Sequence, residues 1–281
     1  MAKYEIKDGV GIIPKGTTVI EKYAFEKCEE LTSVVIPDSV TEIGESAFFG
    51  CSGLKSITLP NSLTTIGETV FYGCTNLASI VIPASVTLID NRAFDYCACL
   101  ESIIVSEGNK MYDSRDNCNA IIETENNLLM VGCNTTTIPD TVTTIGISDN
   151  FRGVSSAFKG RTGLTSIVIP ESVTEIGRET FSKCTGLKTV VIKGKLKRIP
   201  EEVFIDCKAL ETITLPAGIG KIDTLAFKGC TALKTIFVPA KKSDYYKQRL
   251  ERCQQFNRGE GPLWGTIDEL VVELSAEKKK K

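Results

Sequence analysis

Eleven cysteines are the residues of this 281-residue chain with the most varied chemistry open to them, as disulfides, soft metal ligands or nucleophiles. Seven of them, Cys28, Cys51, Cys74, Cys97, Cys184, Cys207 and Cys230, each stand three residues before a leucine. Stacked at about 4.8 Å, such a column falls within the range of Cα separations that disulfides span, roughly 4.4 to 6.8 Å. Side chains in equivalent positions run parallel instead of converging, so the spacing predicts structural free thiols filling a tight corner. Cys97-Ala98-Cys99 is a weak zinc signal because Cys97 already belongs to the column, and Cys118, Cys133 and Cys253 have no assignable partner. Histidine is absent, which removes the commonest general base, the Ser-His triad and the commonest metal ligand together. The carboxylates Glu42, Glu45, Glu175 and Glu179 fall at variable positions that suit a solvated bend. Gly194 lacks the Gly-Lys-Ser/Thr continuation of a phosphate loop. No catalytic residue, metal site or cofactor is expected.

The cysteine column is one of several. Leucines at Leu31, Leu54, Leu77 and Leu100, then Leu164, Leu187, Leu210 and Leu233, step by 23 residues within each group. Phe25, Phe48, Phe71, Phe94, Phe158, Phe181, Phe204 and Phe227 keep the same register. The unit reads Leu-x-x-Ile-x-Ile-Pro-x-x-Val-x-x-Ile-Gly-x-x-Ala-Phe-x-x-Cys. Leu31, Val34 and Ile36 point inward from a short strand, and Pro37 ends it, since proline lacks the N–H a parallel ladder requires. Val40 and Ile43 return to the core, Gly44 relaxes the backbone for a bend, and Ala47 and Phe48 bury the far side. One lap cannot cover its own apolar stripe, so stability has to come from stacking.

The step from Leu100 to Leu164 is 64 residues, two periods plus eighteen, so two laps with insertions are expected there. Ile138–Gly146 keeps half a lap, and eight extra residues follow it before Ala157. Upstream, Ala120–Thr124 and Leu128–Val131 read as two strands joined by a Glu-Asn-Asn turn, a hairpin insertion at about 106–134 projecting from the stack, either as a tolerated surface insertion or, in the functional reading, as a lip on the binding face. Residues 1–240 are thus expected to form one solenoid opening with an N-terminal half-repeat. Residues 241–274 form a C-terminal cap. Tyr246, Leu250 and Cys253 at i, i+4 and i+7 place a helix from about Ser243 to Phe256, with Trp264 and a strand at Leu270–Leu274 completing the cap. Residues 275–281 read as a disordered lysine tail, and Tyr4–Ile13 as the cap at the other end.

With the Ile-Pro, Ile-Gly, Ala-Phe and Cys landmarks in fixed register from about residue 13 to 240, the chain resembles the BspA-like, Treponema pallidum-type, bacterial leucine-rich repeat family. That resemblance implies an α/β fold, a right-handed, horseshoe-like leucine-rich-repeat solenoid dominated by strands. About ten laps of 23 residues are expected, with short helical or irregular return segments. It also implies an adhesin-like protein, secreted or displayed on the cell surface, whose partners include host extracellular matrix or another cell. The ending resembles family members that close with a Val-Pro, a Tyr-containing helix and an aromatic-rich segment, here Val238-Pro239, Tyr245-Tyr246 and Trp264.

Charge and hydropathy set the class of partner. Net charge is -2, which offers no basic footprint for nucleic acid, and no apolar run approaches the ~20 residues of a membrane span. The N-terminus as written has no signal-peptide pattern, so the expected location is the cell surface or outside the cell by the resemblance, or the cytoplasm if the sequence as given is the native gene product. The outward strand positions form the candidate binding surface. The fifth position gives Val35, Thr58, Val81, Ile104, Val168, Val191, Thr214 and Phe237, an apolar column for an exposed face. The second position adds Lys55, Glu101, Lys188, Glu211 and Lys234 as charges that tune selectivity. Sheet propensity alone accounts for part of the β-branched column. The remainder points to a protein or extended peptide bound by a monomer. An intracellular interaction scaffold is the alternative, and a glycan-binding module ranks below both because the face carries one Phe and no Trp.

Overall fold

A computed structural model of the chain describes residues 2–90, 92–146, 156–256 and 271–274. It is a β-solenoid of about nine turns of about 23 residues, with little helix. The count of about ten includes the N-terminal half-repeat, which is not a full turn. Glu5–Lys7 pairs antiparallel with Val10–Ile12, and only the second of these strands joins the stack, parallel to Ser33–Val35. Folding the chain back in this way covers an edge that would otherwise be open to another chain.

Two ladders run along the stack. The first is built from the strands of the leucine segments, such as Ser79–Ile82 with Ser102–Val105, and the series Ser166–Ile169, Thr189–Ile192, Thr212–Thr214 and Thr235–Val238. The second is built from the Ile-Gly segments, among them Val19–Ile20, Glu42–Ile43, Thr65–Ile66 and Leu88–Ile89. Between the ladders the return path is made of turns. Gly44 does not serve its turn through a left-handed backbone; a Cβ there would lie 3.0 Å from the Ile20 carbonyl oxygen and 3.0 Å from the Lys22 amide of the lap before. Close stacking, and not the bend foreseen from the sequence, is what a side chain at Gly44 would crowd.

The phenylalanine column is a continuous stack in each half. Ring centroids lie 5.4 Å apart for Phe25–Phe48, 5.6 Å for Phe48–Phe71 and 5.3 Å for Phe71–Phe94, and 5.0 to 5.7 Å from Phe158 to Phe227. Each such pair contributes about 0.5–1.5 kcal/mol beyond its buried area. The Tyr4 ring, tilted by 35° with its centroid 5.6 Å from that of Phe25, closes the column at the N-terminal end.

The hairpin corrects an expectation. Ala120–Glu123 and Leu128–Gly132 do pair antiparallel, but they do not project as a lip. Leu128 and Leu129 pair parallel with Thr144–Ile145, which in turn pairs with Glu175–Ile176, so the second strand of the hairpin is a rung of the second ladder. Every residue of Leu128–Gly132 is buried. Ile121, Leu128 and Met130 pack into the N-terminal core, whereas Ala120, Ile122 and Leu129 pack into the C-terminal core. The period-two alternation of the hairpin serves two cores, because it lies between them. Gly132 takes the place of a phenylalanine in this lap; a Cβ on it would come 2.1 Å from the Phe158 ring.

At the C-terminus the helix spans Ser243–Phe256, where the i, i+4, i+7 spacing places it, and Tyr246, Leu250 and Cys253 are fully buried. The hydroxyls of Tyr245 and Tyr246 donate to the carbonyls of Ile219 (2.7 Å) and Pro216 (2.5 Å), anchoring the helix on the open end of the second ladder. Val271–Glu273 pairs parallel with Thr235–Val238 and extends the first ladder by one strand. Trp264, Leu270 and the lysine tail lie outside the described residues.

Candidate functional site: the strand face and the junction

The outward column is where the spacing places it. Val35, Val81, Ile104 and Val168 are 62%, 50%, 50% and 48% exposed, and Thr58 is exposed as well. Val191, Thr214 and Phe237 are half-buried, the last because Val272 sits opposite it in register. Among the charges, Lys55, Glu101, Lys188 and Lys234 are exposed, while Glu211 is half-buried and pairs with Lys234 at 3.4 Å. Two members of the column escaped the sequence reading. Ile12 lies opposite Val35, and Val272 opposite Phe237. Both sit in laps whose landmarks are missing, so the period does not reach them.

The face is not continuous. Ser56–Leu59 forms no strand within the stretch from Ile12 to Ile104, and the lap that divides this stretch from Val168 to Val272, Thr135–Ile138, forms none either. Its side chains take the bonds that a ladder would have used. Asn134 Nδ2 donates to Ala98 O (2.9 Å), Thr135 Oγ1 to Glu101 O (2.5 Å) and Thr136 Oγ1 to Asn119 O (2.6 Å). Polar side chains that capture backbone carbonyls compete with sheet in this way. A groove of about 760 Å³ opens where the rung is missing, lined by this segment and by Thr165–Val168, Glu171, Ser172 and Lys193.

The cysteine column makes a bond the sequence did not reveal. Cys51 Sγ donates to Phe25 O at 2.9 Å, Cys74 to Phe48 O at 3.2 Å and Cys97 to Phe71 O at 3.1 Å. Cys184, Cys207 and Cys230 repeat it on Phe158, Phe181 and Phe204 at 3.0 to 3.1 Å, each across 26 residues. The thiol therefore satisfies a buried carbonyl one lap back, and its sulfur is aimed at that oxygen. All eleven cysteines are free, ten of them buried and Cys99 exposed. Burial pushes the thiols of Cys51, Cys97, Cys184 and Cys253 up to about 12, far from the thiolate form that reacts. Iodoacetamide at pH 8 should accordingly label Cys99 alone in the folded protein and all eleven sites in guanidinium without reductant, as counted by intact-mass spectrometry.

One column position breaks the rule. Arg161, three residues before Leu164, stands where a cysteine is expected and is 1% exposed. Its Nε donates to Gly132 O at 2.8 Å, the carbonyl that a column thiol would take, and its Nη1 donates to Phe94 O at 2.8 Å, one lap further down. The longer reach is needed because Cys133 is diverted to Asn119 O. Nearby, Asp95 is 3% exposed and accepts the Ser156 hydroxyl on both carboxylate oxygens, at 2.7 and 2.8 Å. Lys159 pairs with Glu179 and lies 5.7 Å from the Tyr96 ring centroid. This buried polar cluster joins the two halves of the solenoid. Among the described residues no three His, Cys, Asp or Glu side chains are grouped to hold a metal ion.

Sequence comparison matches residues 12–123 and 129–257 to the BspA type leucine-rich repeat region, in six copies. The chain belongs to the BspA-type leucine-rich repeat family. Among solved structures it is similar to a leucine-rich repeat protein of Eubacterium ventriosum, with 23% identity, a TM-score of 0.57, and 97% of this chain and 85% of that chain covered. It is also similar to a leucine-rich cell surface protein of Faecalibacterium prausnitzii, with 25% identity, a TM-score of 0.46, and 82% and 81% covered. Among curated proteins no sequence matches. No helix among the described residues is long and apolar enough to cross a membrane.

Proposed function

We propose that this repeat protein is a non-catalytic binder that engages a protein or extended peptide through the outward face of its first ladder, in an adhesin-like role. The observation that carries the reading is the exposed aliphatic column Val35, Val81, Ile104 and Val168 on one face, bordered by hydroxyls and by Lys55, Glu101 and Lys188. An apolar surface rimmed by polar groups is what a protein partner covers. Sugar rings stack on exposed aromatics, and the only aromatic of the column is the half-buried Phe237. Host extracellular matrix or another cell fits a surface-displayed member of this family. The eleven free thiols favour a second reading, an interaction scaffold in a reducing compartment. Protease treatment of intact and of lysed source cells separates the two: cleavage on intact cells supports the adhesin, and cleavage only after lysis supports the scaffold. For the face itself, Val81→Glu with Ile104→Glu places two carboxylates side by side in register. The pair should weaken binding of a partner captured by the wild-type chain at least tenfold by surface plasmon resonance, with the melting temperature nearly unchanged. Unaltered affinity would place binding elsewhere on the molecule.

A further inference from the structure

The missing rung leaves two backbone edges facing each other across the groove. On one wall, the carbonyls of Thr165 and Ile169 accept from Lys188 (2.8 Å) and Lys193 (2.9 Å) of the following lap. Strand groups alternate sides, so the N–H and C=O of Ser166 and Val168 point the other way, into the groove. On the opposite wall, the Thr137 amide donates to Cys118 O at 3.1 Å, and the backbone of Ile138, which lines the groove, makes no backbone hydrogen bond to Ser166–Ile169. Among the described residues none of these facing groups has a partner, and Ser166–Ile169 is the last strand of its sheet on this side. Asn134 Oδ1 and Ser172 Oγ, both in the lining, are buried atoms with no hydrogen-bond partner. Ser33–Val35 and Ser79–Ile82 also end their sheets, on either side of Ser56–Leu59, but there the backbone bonds from Lys55 N to Thr32 O and from Ala78 N to Lys55 O still join the laps.

We infer that this groove takes up an extended peptide segment by strand addition, its backbone supplying the absent rung beside Ser166–Ile169. The inference rests on the protein-binding reading above and names the place and mode of binding. The chemistry of the occupant follows from the walls. Free N–H and C=O groups at strand spacing are matched by another backbone in extended form. The volume of about 760 Å³ lies within the roughly 300–1,000 Å³ of sites that hold compact ligands. Asp140 and Glu171 face a single Lys193 in the lining, which favours a segment carrying a basic side chain. The groove has no aromatic in its lining on which a sugar could stack.

The test uses the full chain and a phage-displayed library of linear dodecapeptides, with enriched sequences resynthesised and measured by fluorescence anisotropy. Val168→Pro removes the central groove-facing N–H, while the bonds to the next lap come from neighbouring residues, and proline is tolerated on edge strands. Enriched peptides should carry a Lys or Arg, bind Val168→Pro at least tenfold more weakly, and lose binding when alternate peptide amides, but not the intervening ones, are N-methylated. Should Val168→Pro not fold, Thr137→Trp fills the groove from the other wall and carries the same comparison. Absence of enrichment over a blank surface, or peptides that bind the variants equally and tolerate methylation at every amide, would overturn strand addition. A wild-type chain whose self-association is lost in Val168→Pro would make the occupant a second copy and likewise overturn it. These outcomes are independent of the Val81→Glu, Ile104→Glu pair, which tests the wider face alone.

Discussion

Arg161→Ala should lower the unfolding free energy by about 3–5 kcal/mol, the range for removing one member of a buried charged network. The side chain is 1% exposed and bonds Gly132 O and Phe94 O, so alanine leaves two buried carbonyls without a donor and opens a cavity at the junction. Those carbonyls belong to different laps, one in the buried hairpin and one in the N-terminal half, whereas Arg161 itself belongs to the C-terminal stack. Because each lap of a solenoid is held by its neighbours, a defect here weakens one interface between two intact cores. Guanidinium unfolding of Arg161→Ala should therefore separate into two transitions where the wild-type chain shows one. Arg161→Cys restores the column residue and its reach to Gly132 O, and should recover part of the loss but leave Phe94 O unpaired. Arg161→Lys keeps the charge without the planar fork and should behave closer to alanine than to arginine. A single transition within about 1 kcal/mol of wild type would show that the junction is held by apolar packing alone.

The same region marks the limit of what the sequence discloses. Columns at a period of 23 expose the core directly, since Leu31, Phe48 or Cys51 recurs in an environment that recurs with it. The helix at Ser243–Phe256 is equally legible, because one apolar stripe has one open end to cover. Ala120–Glu123 and Leu128–Gly132 are recognisable as a hairpin, but their docking is not. Where a hairpin docks is decided by which groups in the neighbouring laps lack partners, and no local pattern encodes that. The signal that was present lay in the exceptions. Arg161 at a cysteine position and Thr136, three residues before Pro139 as Val34 is before Pro37, fall within one region of the stack, as does Gly132, which the structure puts in the place of a phenylalanine. Each substitution removes a regular bond or ring and calls for a compensating partner. The candidate face was legible as a list of positions, and its division in two was not, because Thr135 and Thr136 read as ordinary strand formers until their hydroxyls are seen holding Glu101 O and Asn119 O.

Asp95 makes the stability of this junction depend on pH in a direction opposite to that of a paired surface carboxylate. Burial pushes its carboxyl up to about 7, while the Ser156 hydroxyl and the positive charges of Lys159, Arg161 and Arg92 pull it down. Tyr96, beside it, is held neutral throughout this range by its own burial, and Glu179 is paired with Lys159. The ordinary value is 3.8, so between about pH 4 and about pH 7 the unfolded chain has released a proton that the folded chain still holds. Folding then binds a proton, and stability falls as pH rises through this window, then levels off above about 7. The full effect is on the order of 4 kcal/mol, since each tenfold difference in proton affinity between the folded and unfolded chain is worth about 1.4 kcal/mol. Asp95→Asn keeps the shape and the acceptor for Ser156 and removes the titration. The difference in unfolding free energy between Asp95→Asn and wild type, followed by guanidinium titrations from pH 4 to pH 8, should grow with pH in favour of the variant and flatten above about 7. Taking that difference cancels paired carboxylates such as Asp113, whose depressed value gives the opposite slope. A difference that stays constant across the range would mean that Asp95 is ionised throughout, held by Arg161 and Lys159. In Arg161→Ala the window should extend to higher pH, since one of the charges that pulls Asp95 down is gone.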